Sequence, residues 1–97
     1  MILNTTALMD TIFYGDNPAF EGEECEIRIN GNEIVISYSD SDGVVIYKGK
    51  DEGSGHFVLE CPERRGRATL HQIPTSKFLE GFWVEDGDKG FWRITLP

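Results

Sequence analysis

Positive charge is scarce in this chain. Nine Lys and Arg stand against seventeen Asp and Glu, a formal net charge of −8. Phosphate recognition needs a concentrated positive field, so a nucleic-acid partner is not expected. An anionic membrane surface is disfavoured on the same ground. Cysteine is scarce too, with only Cys25 and Cys61. Each lies in a strand-like run (CEIRI and FVLEC), where a thiol behaves as a small hydrophobe, so a disulfide framework is not expected. No long apolar run occurs, and the opening MILNTTALMDTIFYG has no basic n-region. It reads as neither signal peptide nor membrane anchor, and the expected address is the cytoplasm. Heptads, apolar helical stripes and capping boxes are missing as well, which leaves little place for helix.

What the sequence does hold is a series of short β-branched and aromatic runs, broken by Gly, Asn and Asp every eight to twelve residues. That is the pattern of an antiparallel sandwich or barrel. The length suits one domain, residues 1–97. Expected strands are Ala7–Tyr14, Cys25–Asn30, Glu33–Ser39, Val44–Lys50, Gly55–Cys61, Arg67–Ile73, Leu79–Asp86 and Gly90–Leu96. Six of the seven connections read as hairpin turns or short loops, and only Gly15–Glu24, with Asn17-Pro18, is longer. Strands joined in order by tight turns make an all-β up-and-down meander. A meander of about eight strands closes into a barrel to remove its edges.

Apolar faces agree across each turn, which supports the same arrangement. Cys25, Ile27 and Ile29 share a face with Ile34, Ile36 and Tyr38, and the Asp40–Gly43 loop continues it to Val45 and Tyr47. A three-residue loop near Glu52 to Ser54 carries it to Phe57, Leu59 and Cys61, and the next turn to Ala68 and Leu70.

The tripeptide Gly-Phe-Trp occurs twice, as Gly81-Phe82-Trp83 and Gly90-Phe91-Trp92, around Glu85-Asp86-Gly87-Asp88. A four-residue loop between Glu85 and Gly90 would set Trp83 directly opposite Trp92. A two-residue turn at Asp86-Gly87 would shift the register by two and still leave both indoles on one face. The repeat therefore reads as a cross-strand aromatic pair, with the glycines allowing close backbone approach or a bend at a barrel corner. Which face of this hairpin is inside stays open, because Phe82, Val84 and Phe91 form an equally apolar opposite face. A barrel this small cannot hide both, so an apolar strip is expected outside. It would pack against a second copy in a homo-oligomer, with Phe82, Val84 and Phe91 as the patch and Arg93 at its rim.

A Gly-x-Trp at a strand start within an eight-strand meander resembles the up-and-down barrels of the lipocalin and avidin superfolds. In lipocalin-like barrels the motif lies near the N-terminus; here both copies lie near the C-terminus. The resemblance therefore implies an architecture and carries over no binding residue.

Candidate chemistry is sparse. If Cys61 pairs with Gly66 across the Pro62–Arg65 loop, His56 falls opposite His71, half of a zinc site at most. Cys25 and Cys61 point to the other face, so the pair reads as exposed or hydrogen-bonded histidines and no metal is expected. Asp40-Ser41-Asp42-Gly43 and Glu85-Asp86-Gly87-Asp88 lack the distal Glu of a calcium loop and read as tight turns. No spacing gathers a nucleophile with a base, so no catalytic residue and no cofactor is expected, and the chain leans away from an enzyme. The first reading is a binding barrel for a small apolar or aromatic ligand, using Trp83, Trp92, Tyr38 and Tyr47. The rival is a protein-interaction module, of inhibitor or immunity type, presenting an acidic surface or loop to a protein target.

Overall fold

A computed structural model describes residues 2–15 and 19–97. Eight strands follow one another: β1 (Ile2–Phe13), β2 (Phe20–Asn30), β3 (Glu33–Asp40), β4 (Gly43–Asp51), β5 (His56–Cys61), β6 (Gly66–His71), β7 (Phe78–Glu85) and β8 (Asp88–Thr95). Each pairs antiparallel with the next, and β8 returns to β1, so the sheet closes as an up-and-down barrel. The only helical turn among the described residues is the 3₁₀ segment Pro62–Arg64 between β5 and β6. Among the described residues no helix is long and apolar enough to cross a membrane.

Alternation dictates the packing. Ile27, Ile29, Ile34, Ile36, Val45 and Tyr47 fill the interior together with Leu59, Leu70, Leu79 and Ile94. Each points inward because neighbours on a strand take opposite faces. Burying such side chains contributes about 1.5–3 kcal/mol each. Both cysteines are buried free thiols. Burial, and secondarily Glu26, pushes the Cys25 thiol up to about 11.

The last hairpin decides between the two turns. Asp86 (φ 49°) and Gly87 (φ 90°) both adopt positive φ, as the two-residue hairpin turn that Asp-Gly favours requires. Glu85 thus pairs with Asp88, which places Trp83 opposite Gly90 and Gly81 opposite Trp92. The indoles are diagonal neighbours on the inner face, centroids 5.9 Å apart and planes 25° apart. Both tryptophans are buried, so Phe82 and Phe91, which face each other across the ladder, lie outside. A Cβ on Gly81 would run into the Thr69 carbonyl, and one on Gly90 into that of Ile12. These are places where adjacent strands coil tightly together.

Strand bounds also differ at the N-terminal side. β1 begins at Ile2, and β2 begins at Phe20, inside the expected Gly15–Glu24 loop. After Phe20, the run Glu21-Gly22-Glu23-Glu24 has little strand propensity to show. Its pairing with β1 resumes at Thr11–Phe20 after a register shift, and the Gly22 amide donates to Asp10 Oδ1 at 2.8 Å. Asn17-Pro18 falls outside the described residues. The β4–β5 loop spans four residues, Glu52 to Gly55, where three were expected, and the face still carries through because Asp51 pairs with Phe57.

Candidate functional site

The two ends of the barrel differ in chemistry. At one end the inner face finishes in apolar groups, with Ile29, Ile34, Phe57 and Leu79 buried and Leu3 and Leu96 packed over them. At the other, the same inward alternation runs out into carboxylates. Ile27 and Cys25 lead to Glu23, Ile36 and Tyr38 to Asp40, Trp83 to Glu85, and Trp92 and Gly90 to Asp88. These four residues form a collar above an aromatic floor.

The collar surrounds a cavity of about 950 Å³, with Met9, Thr11, Phe13, Tyr38, Trp83 and Trp92 among its walls. Eight carboxylates line it (Glu23, Glu24, Glu26, Asp40, Asp42, Glu85, Asp86 and Asp88), against the single guanidinium of Arg64. The lining residues alone, eight of seventeen acids and one of nine bases, sum to −7, and Arg65, 3.3 Å from Asp86 just outside them, offsets one of these charges. The rest of the molecule is close to neutral.

One side of the wall is unlaced. The β2–β3 ladder runs from Asn30–Glu33 only to Glu26–Ser37. Beyond that, β2 continues to Phe20 beside β1 and β3 to Asp40 beside β4, with no pairing between them. Glu24 and Glu26 on one bank and Ser37 and Ser39 on the other line the cavity, which therefore opens sideways as well as upward.

Within the collar, Asp40 and Glu85 are committed. Arg64 grips Asp40 with two hydrogen bonds, of 2.8 and 3.1 Å, and its Nη1 lies 3.5 Å from Glu85. The Arg64 hydrogen bond holds the Asp40 carboxyl below its usual range. Glu85 Oε1 accepts from Tyr47 at 2.7 Å and from Tyr38 at 3.2 Å. Burial, and next the Glu85 carboxylate, pushes both phenols well above their ordinary value. They remain donors at neutral pH. Glu23 and Asp88 make no side-chain hydrogen bond or ion pair among the described residues. The Trp83 indole N–H is buried and meets no acceptor there either.

Of the four aromatic residues expected to bind ligand, Tyr38, Trp83 and Trp92 line the cavity. Tyr47 lies beneath them, wholly buried, its ring 5.0 Å from Trp92 and its hydroxyl on Glu85. Its tip occupies the space that a side chain at Gly66 would need. On the outer face Phe82 is 43 % exposed and Val84 and Phe91 are partly covered. Arg93 sits 3.6 Å from Asp10 and over the Phe78 ring. His56 and His71 pair across β5 and β6, Nδ1 to Nε2 at 2.7 Å, so one ring donates to the other. No three His, Cys, Asp or Glu among the described residues approach closely enough to hold a metal ion.

The collar itself escaped the sequence reading. Asp40, Glu85 and Asp88 belong to turns, where Asp and Glu are ordinary, and Arg64 to the short basic run Arg64-Arg65-Gly66-Arg67. The available signal was parity: each carboxylate sits two residues beyond an inward apolar residue, or beyond an inward glycine. Comparison with protein-family models, curated proteins and solved structures gives no match.

Proposed function

We propose that this protein is a non-catalytic binding barrel that takes a small molecule with an apolar or aromatic body at its acidic mouth. One observation carries the reading: a cavity of about 950 Å³ has Trp83, Trp92 and Tyr38 among its lining residues, while the opposite end is filled with side chains. Concave sites with aromatic walls and a few convergent polar groups are where small ligands bind. The reduced, buried cysteines accord with a cytoplasmic address. Native mass spectrometry of protein isolated from its own host tests the reading. The expected result is the barrel carrying a small molecule, lost on replacing Trp92 or narrowing the mouth. Bare protein in every preparation would defeat it.

A second reading is favoured by the exposed rim: the strong negative charge at one end suits a module of inhibitor or immunity type gripping a basic protein surface. A stoichiometric protein partner in place of a small molecule would favour it. In either case the outer strip of Phe82, Val84 and Phe91, with Arg93 at its edge, is the surface through which a second copy would pack. Ile12 faces Phe91 on β1 and is exposed, and the Tyr14 ring lies 6.2 Å from Phe82, so the strip continues beyond the hairpin.

A further inference from the structure

We propose that the edge of β4 at Val44 and Ile46 is a strand-addition site, where an extended peptide pairs with the barrel wall. Its partner has β-branched residues at alternate positions and basic residues at both ends. The contact is made by backbone on the barrel's flank and does not depend on what fills the mouth.

Backbone direction is the first observation. Along a strand, successive residues turn their N–H and C=O to opposite neighbours. Asp51 N–H donates to Asn32 on the β3 side, and Glu52 N–H to His56 on the β5 side. The registers of β4 with β3 and β5 run without a shift. Val45, Tyr47 and Gly49 therefore bond back to β3, while Lys48, Ile46 and Val44 present their backbone groups toward β5. The β4–β5 ladder ends at Lys48–Glu60. Its next steps would set Pro62 against Ile46 and Arg64 against Val44. Pro62 has no N–H to give, and its carbonyl accepts from Arg65 at 3.1 Å. The Arg64 carbonyl accepts from Asp86 at 3.0 Å. The chain that could have covered the edge is thus drawn into the 3₁₀ turn and tied to the last hairpin. Ile46 and Val44 keep two N–H and two C=O groups with no partner among the described residues. Such an edge is a template for another chain.

Side chains and charge describe the occupant. Val44 is 64 % and Ile46 42 % exposed, both on the outer face. Natural edges are blunted by charge or proline, and β4 carries neither at these two positions. A β-branched residue opposite each would complete a cross-strand apolar pair. Beside the edge runs a groove of about 390 Å³, with Glu60 and Glu63 in its lining and Lys48 as the single base there. Asp42 stands at the other end of the edge. Asp42 and Glu63 make no side-chain hydrogen bond or ion pair among the described residues. Antiparallel self-pairing would bring the Asp42 turn of a second copy against Glu60 and Glu63, like on like. A peptide with basic ends meets opposite charge at both.

The probe is the capped peptide Lys-Arg-Val-Thr-Val-Arg-Lys, whose valines would face Ile46 and Val44. Three relatives accompany it: one N-methylated at both valines, one N-methylated at threonine, and one with Glu in place of the four bases. Binding is read at pH 7 and low salt from amide resonances and deuterium exchange of the isotope-labelled protein. In the free protein the Val44 and Ile46 amides should exchange quickly, and the parent peptide should slow both. Methylating the valines removes the N–H groups that bond to β4 and should weaken binding about tenfold or more. Methylating threonine, whose N–H points away from β4, should change it by about twofold at most. The acidic peptide should not bind. Equal affinity of the two N-methylated peptides would mean charge attraction without strand addition and would overturn the proposal, as would absence of binding by the parent. Acidic and basic peptides binding equally would overturn the charge assigned to the partner. Slow exchange of Val44 and Ile46 in the free protein, faster on dilution, would give the edge to a second copy and overturn the peptide.

Discussion

Gly81 and Gly90 are positions where a methyl group has no room. At each, the missing Cβ is replaced by a carbonyl oxygen of the adjacent strand, Thr69 for one and Ile12 for the other. Gly90→Ala must therefore push β8 away from β1 at the barrel's closing seam, and Gly81→Ala must part β6 from β7. Each substitution should cost about 1–3 kcal/mol, the range for forcing volume into a packed site. Urea midpoints of the purified variants check this, with Gly53→Ala, in open space though at positive φ, as the comparison for backbone strain alone. Cys25 gives a prediction in pH. Its thiol is pushed up to about 11 in the folded protein, while an unfolded cysteine ionises near 8.5. The folded state thus holds the proton more tightly, and the stabilisation is whole below the unfolded value. It should decline as pH rises from about 8.5 toward 11. Denaturation midpoints across that window should fall more steeply in the wild type than in Cys25→Ala. At pH 8 the folded thiol should resist iodoacetamide, which needs thiolate.

Strands β2 and β3 are laced along half their length and parted along the rest. Amides of residues 20–25 and 38–40 retain only one laddered neighbour strand, so they should exchange with deuterium faster than those of 26–30 and 33–37, which are paired on both sides. Mass-spectrometric exchange on peptides from these segments decides it; uniform protection would mean the seam is closed in solution. The same contrast marks what could be read from sequence. Turns such as Asn30–Glu33 and Asp40–Gly43 fix local registers, and with apolar alternation they reveal β2 to β6 and the facing of His56 on His71. Local turn chemistry also contained the right answer at Asp86-Gly87, since two adjacent residues at positive φ leave two loop residues and no more. The first half of β2 was illegible for a physical reason. Its polar, glycine-containing run is a strand only because β1 pairs with it, and that contact is not local. The acidic collar was hidden differently, because Asp and Glu near a turn look the same whether they face water or a cavity.

Viewed whole, the barrel has an apolar strip outside as well as a core inside. Self-association through Phe82, Val84 and Phe91 predicts a dimer of the 10.9 kDa chain in sedimentation, and a folded monomer for Phe82→Glu. Wild-type protein sedimenting as a monomer at high concentration would end that idea. The uneven ends of the barrel have one more consequence. With most of the net −8 at one pole of a molecule 37 Å in its longest dimension, the charge distribution amounts to a large permanent dipole. At physiological salt the Debye length is about 8 Å, far shorter than the molecule, so a distant basic surface senses almost nothing. Within that last stretch only the acidic pole is attracted, and a torque turns it inward. The molecule would land on any positive surface, an anion-exchange resin included, with its cavity face down, and would desorb over a narrow interval of rising salt.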